Sequence, residues 1–194
     1  MSGSLVFPQS SRVDAESSQV RGATTGRVFS CGIGLLAVLL SAAIFGFFYA
    51  WVCSTMWGLD AADPRVAIPA MQAMNASVRN VVFAPAFFGT PFALTLTALL
   101  ARAHGRRRAA WFFLAAAISY AGGALAPTLL VNVPMNEALA AVAVPTDLAA
   151  ARDLWLDYSG TWQAWNLART VASGAALLLA VAGVASAVGG RGRG

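Results

Sequence analysis

The amino-acid sequence predicts an all-α protein, a four-helix transmembrane bundle with short amphipathic helices in its two outer loops. Three observations carry that prediction. Of 194 residues, 58% are hydrophobic and only 11% charged, with a mean hydropathy of +0.67. Soluble domains carry about 25% charged residues, so this composition belongs to the membrane class. Four stretches, residues 28–57, 80–101, 109–131 and 170–190, hold no charged side chain, and a bilayer is crossed by about 20 such residues. The arginines, finally, fall mainly on one side of those stretches.

Residues 1–27 are polar and without apolar period, which reads as a flexible cytoplasmic tail lacking the apolar core of a secretory signal. The four-span membrane domain follows over residues 28–190, and residues 191–194 form a C-terminal cytoplasmic tail. All thirteen basic residues are arginine. Nine lie in the tails and the loop of residues 102–108, against Arg65, Arg79, Arg152 and Arg169 on the other side. The positive-inside rule then puts both termini in the cytoplasm of a multi-pass cell-membrane protein whose first partner is the lipid bilayer. Arginines that flank apolar segments, instead of forming one interleaved patch, argue against nucleic acid. Trp51, Trp57, Trp111 and Trp165 mark segment ends as an interfacial belt would. Cys31 and Cys53 are 22 residues apart on the first segment, which on a helix is about 33 Å and outside disulfide reach.

Within the second segment Pro85 and Pro91 each remove a helix hydrogen bond, so a kink is expected there. The third carries Gly122, Gly123 and Pro127, which makes its outer half irregular. In the first outer loop Gln72, Asn75 and Arg79 share one helical face at i, i+3 and i+7. The loop after the third segment begins with Asn132, Asn136 and Glu137 around Pro134, which starts a short helix. A further helix starts near Pro145 or Thr146. If it runs unbroken to Val188 it is about 63 Å long, twice the hydrocarbon thickness, and otherwise it bends near Gly160.

The most informative stretch is residues 155–169, leading into the fourth span. On a helix Trp162, Trp165, Asn166 and Arg169 fall at i, i+3, i+4 and i+7, one stripe that sets a cation and an amide beside two indoles. An arginine at the mouth of a membrane span requires a partner. Asp157 or Glu137 would be a structural partner, and the amides with Arg79 and Arg169 would otherwise converge into a pocket for an anion, an enolate or a lipid head group. Metal binding is not expected, because the single histidine, His104, lies in the arginine loop away from the cysteines and carboxylates. No phosphate loop or dinucleotide fingerprint occurs, so no bound cofactor is expected.

These residues resemble an integral membrane family that includes the anthrone oxygenases of aromatic polyketide pathways. The resemblance rests on Gly46-Phe-Phe-Tyr49, Met71-Gln-Ala-Met-Asn75, Asn132-Val-Pro-Met-Asn136 and Trp162-x-x-Trp165-Asn166-x-x-Arg169-Thr170. It implies oxidation of a small phenolic aromatic substrate, an anthrone, by molecular oxygen without metal or flavin. Carried onto this chain, it implies anion stabilisation by Arg169, Asn166, Asn132 and Asn136, with Glu137 or Asp157 as base. Trp162 and Trp165 would then form a stacking surface, with Gln72, Asn75 and Arg79 beside them. The family pattern often has a histidine after the Trp-Asn pair, where this chain has Leu167. The competing reading is a non-enzymatic membrane protein that binds a lipid or apolar metabolite or assists its transport.

Overall fold

Four helices of the computed structural model are long and apolar enough to cross a membrane, and the molecule is a membrane-type all-α bundle. The structure describes residues 32–189, so the expectations for the tails and for Cys31 lie outside the described residues. The spans are α1 (Gly32–Ala61), α3 (Phe83–Ala103), α4 (Arg107–Ala140) and α5 (Leu148–Gly189). Between α1 and α3 lies α2 (Pro64–Ser77), the amphipathic helix of the first loop. Asp63 caps it, accepting a hydrogen bond from the Arg65 amide at 2.8 Å, with Pro64 in the first turn.

Each turn has a local cause. Asn80 joins α2 to α3: its Oδ1 accepts from the amides of Val82 and Phe83 at 2.8 and 2.9 Å, and its Nδ2 donates to the Ser77 carbonyl at 2.7 Å. That satisfies amide donors which otherwise have no partner at a helix start. At the opposite end α3 stops at Gly105, whose φ of 74° is the left-handed conformation of a helix C-cap, and the Arg106 amide returns to Ala101 O at 2.8 Å. Arg106 also donates to Ala187 O near the end of α5 at 2.8 Å, placing a cation on the negative end of that helix.

The second span begins at Phe83, so Pro85 sits in its first turn, where no helix bond is lost. Pro91 does lie inside the helix and cannot bond the Phe87 carbonyl four residues before it. The buried Tyr120 hydroxyl of α4 donates to that carbonyl at 2.8 Å. A neighbouring helix thus satisfies the group that proline frees, as lipid surroundings demand.

Two π-helical stretches, Ala121–Leu125 and Thr128–Asn132, carry α4 through its glycines and Pro127. The helix expected from Pro134 forms over Val133–Ala140 but is fused to this span. A third π turn, Trp51–Thr55, lies near the end of α1. The helix before the fourth span is continuous with it through Gly160, giving α5 a length of 42 residues, about 63 Å. Roughly half of it therefore stands beyond the ~30 Å hydrocarbon layer.

Along α5 the buried positions include Trp155, Trp162, Asn166, Arg169, Ser173 and Ala176, a single helical stripe. Its small residues let α4 approach closely. A Cβ on Gly123 would stand 2.4 Å from the Ala172 Cβ, inside contact distance. Buried Ser41, Thr90, Thr97, Thr170 and Ser173 return their hydroxyls to their own helices' carbonyls. Apolar packing falls into one cluster inside the bundle, around Ile44, Leu94, Phe113 and Tyr120, a second where α2 meets the ends of α1, α4 and α5, and a small third of Ala101, Ala109 and Ala110 at the α3–α4 turn.

Two outcomes are expected from this packing. Tyr120→Phe leaves the Phe87 carbonyl buried without a donor and should lower stability by about 1–3 kcal/mol, read from thermal unfolding in detergent. The exposed Asp63 carboxyl is held down to about 2 from its usual 3.8, first by the Arg65 side-chain hydrogen bond and then by the Arg65 amide. Its help to α2 is complete above the ordinary carboxylate range and is withdrawn as pH falls through about 2. An Asp63→Ala variant should lose that acid dependence, measured as helix signal against pH.

Candidate functional site

A cavity of about 530 Å³ opens where α1, α3, α4 and α5 meet the loop-side cluster. Its walls are mostly aromatic: Phe47, Phe48 and Trp51 from α1, Phe83 and Phe87 from α3, and Trp162 from α5. The rings support one another, Phe47 on Phe83 at 4.7 Å, Phe83 stacked on Phe87 at 5.3 Å, and Trp51 against Trp162 at 5.0 Å. Planar apolar matter fits such walls best.

At the inner end lies Arg169, 4% exposed. Its Nη1 donates to Thr128 Oγ1 at 3.1 Å and its Nη2 to Asn166 Oδ1 at 3.0 Å, while Nε has no partner. The guanidinium carbon stands 4.6 Å from the Phe48 ring and 5.3 Å from the Trp162 ring. Two π systems thus lie against the cation, which favours it by about 1 kcal/mol or more per desolvated ring. No carboxylate among the described residues pairs with it; the ion pairs found there are Arg65–Asp63 and Arg79–Glu137.

Neutral dipoles take the place of a counter-ion. Asn166 passes the load on, its Nδ2 donating to the Phe48 carbonyl at 3.1 Å, and Thr128 donates to Ala124 O at 2.8 Å. A full charge compensated only by dipoles and rings keeps most of its field, and in a dry site that field acts strongly on any anion brought near.

Toward the exposed edge Asn136 Oδ1 accepts from Tyr158 Oη at 2.8 Å and Trp162 Nε1 at 2.9 Å, and Asn75 Nδ2 donates to Tyr158 Oη at 3.3 Å. Asn75, Arg79 and Asn136 line the cavity together with Trp162, Asn166 and Arg169. The other residues singled out from the sequence stand elsewhere. Gln72 turns to the carbonyls of Leu139 and Val142 at 2.9 and 3.1 Å. Trp165 is 39% exposed, off the buried stripe, and Asp157 is exposed. Glu137 reaches the cavity only through its 3.1 Å pair with Arg79, a pair more than half exposed on both sides. Asn132 is 1% exposed with both amide atoms unpartnered, and it lies outside the cavity wall.

The aromatic wall on α1 was not anticipated as a site. The i, i+1 and i+4 spacing of Phe47, Phe48 and Trp51 is a usable signal, but position at a segment end alone places Trp51 in the interfacial belt. It packs inward, whereas Trp57 and Trp111 are 67% and 70% exposed. Among the described residues no three His, Cys, Asp or Glu side chains gather as metal ligands would.

Because Arg169 has no counter-ion to strand, Arg169→Met should leave the unliganded protein within about 2 kcal/mol of its parent, the orphaned Asn166 Oδ1 offsetting relief of the buried charge. Breaking a buried ion pair would instead cost about 3–5 kcal/mol. Thermal unfolding of the two proteins in detergent distinguishes these values.

The comparison with known families is consistent with this architecture. No curated protein and no solved structure matches the chain. The family model described as anthrone oxygenase matches residues 79–179, just over half of the chain. That match takes in α3, α4 and the cavity-lining part of α5, and leaves out α1, which supplies part of the aromatic wall, and α2, which lines the cavity with Met74 and Asn75. The chain belongs to the anthrone oxygenase family.

Proposed function

We propose that the cavity binds a flat phenolic aromatic of the anthrone type and promotes its oxidation by molecular oxygen to the quinone. The observation that carries this reading is the buried Arg169 guanidinium, facing an aromatic-walled cavity with no carboxylate among the described residues to neutralise it. The net chemistry balances as one methylene and one O₂ giving one carbonyl and one water. Its difficult step is loss of a proton from the methylene to leave an enolate, the species that oxygen oxidises. Phe48, Phe83 and Trp162 hold the ring system, and Arg169 with the Asn166 amide stabilises the developing oxyanion. Asn136 and Asn75 orient the opposite edge. Glu137 would serve as proton acceptor through the Arg79 side of the cavity, and by the arginine distribution that side faces outward.

A second reading draws on a specific observation: no carboxylate among the described residues lines the cavity itself. A site with an anion-stabilising cation and no base is also what binding of an acidic apolar metabolite or lipid requires, without turnover.

Purified protein supplied with a hydroxyanthrone under air separates the two, with quinone absorbance and oxygen uptake followed together. Arg169→Ala should slow oxidation by about 10²–10³-fold, the usual loss when one oxyanion donor is removed. Equal rates in parent and variant, or in protein and empty micelles, would leave only the binding reading.

A further inference from the structure

Resting on that reading of the cavity, we infer that its ligand arrives sideways from the bilayer, through an opening between the start of α3 and the second π turn of α4. Five cavity-wall residues are also surface residues: Arg79 and Asn80 at the aqueous edge, and, on the side facing lipid, Val81 at 89% exposed, Phe88 at 46% and Leu129 at 45%. A residue that lines a cavity and also faces outward forms its rim. Val82 and Leu130, flanking the last three, are 81% and 75% exposed, so the rim is polar at Arg79 and Asn80 and apolar from Val81 to Phe88 and at Leu129.

Its depth follows from length. With 21 residues α3 is about 32 Å long, barely the ~30 Å thickness of the hydrocarbon layer, so nearly all of it is needed to cross. Phe88, in the second turn of α3, therefore lies among acyl chains, and the rim opens at that level. The helices themselves make the gap. α3 packs along the first half of α4 and is tied to it by Tyr120 and Phe87, then diverges from α4 before Thr128–Asn132. The aqueous edge differs, since the Arg79–Glu137 pair bridges the α2–α3 connector to α4 there. A neutral phenol dissolved in lipid thus meets an apolar mouth, then aromatic walls, and reaches Arg169 last.

The test uses the full chain in phosphatidylcholine vesicles, with 1,8-dihydroxyanthraquinone as probe and its visible absorption band reporting association after rapid mixing. Leu129→Trp, which narrows the rim, should slow association at least tenfold, and Leu129→Ala should speed it. Val81→Trp, at a side chain already exposed, should slow it as well and guards against misfolding of the first variant. Leu178→Trp, 71% exposed on α5 away from the cavity, should leave the rate unchanged. A sulfonated anthraquinone, which stays in water, should associate poorly and without regard to the rim.

Parental rates in both rim variants, or equally fast association of the sulfonate, would overturn the lateral route. No binding of either probe would overturn the route and the proposed site together. Association is read without turnover, so a rim effect in a protein that oxidises nothing removes the oxygenase reading alone. Unaltered association in an active enzyme removes only the route.

Discussion

A buried positive charge, with no negative one beside it among the described residues, is the constraint around which this molecule is arranged. Moving a guanidinium into an apolar bundle is costly, and it is tolerated here because neighbouring groups supply partial compensation on the sides away from the cavity. Phe48 and Trp162 lie against it, and Thr128 and Asn166 accept from its Nη atoms. Those four groups come from α1, α4 and α5, so the cation can be solvated by protein only if the three helices keep their mutual positions. The cavity is what remains on the side where compensation stops.

This arrangement also explains why the loop-side cluster is so well packed. Tyr158 and Trp162 lie in the second apolar cluster, and their polar ends converge on Asn136. Trp155 and Gln163 both bond Asp60, at 2.9 Å each, which fastens the extended part of α5 to the end of α1. The long helix is thereby held on both sides of Arg169, by the bundle below and by this cluster above. A fixed cation that does not reorganise when an anion forms beside it is worth more to a reaction than a mobile one.

Much of this was legible in the residues, and the failures have identifiable causes. Four spans follow from hydropathy because lipid leaves no other way to place so many uncharged residues, and the structure contains four such helices. The stripe of Trp162, Asn166 and Arg169 follows from a 3.6-residue period on an unbroken helix. Trp165 shows the limit of that argument. It was grouped with the stripe at i+3, yet Trp162, Asn166 and Arg169 occupy the buried centre and leave it 39% exposed. Leu167, 51% exposed, likewise faces away, so a histidine at this place in the helix would not point toward Arg169. For the cavity's other wall the spacing of Phe47, Phe48 and Trp51 marks an aromatic face but not what it meets: pairing α1 with α5 is a tertiary fact, and an aromatic near a span end looks the same whether it meets lipid or a neighbouring ring.

The π turns of α4 carry a consequence of another kind. Each can be regarded as one residue inserted into an α-helix, and one residue is a rotation of about 100°. Everything beyond such an insertion is out of phase with everything before it. Tyr120, before both, faces α3; Asn136, after both, faces Tyr158 and Trp162 on α5. A single-residue deletion in Ala121–Leu125 would remove little packing volume, yet it would turn Thr128, Asn132 and Asn136 together to a different side of the helix. The register of this helix is thus an inheritable quantity separate from its composition, and relatives with the same side chains but a different number of residues there would present them to different neighbours.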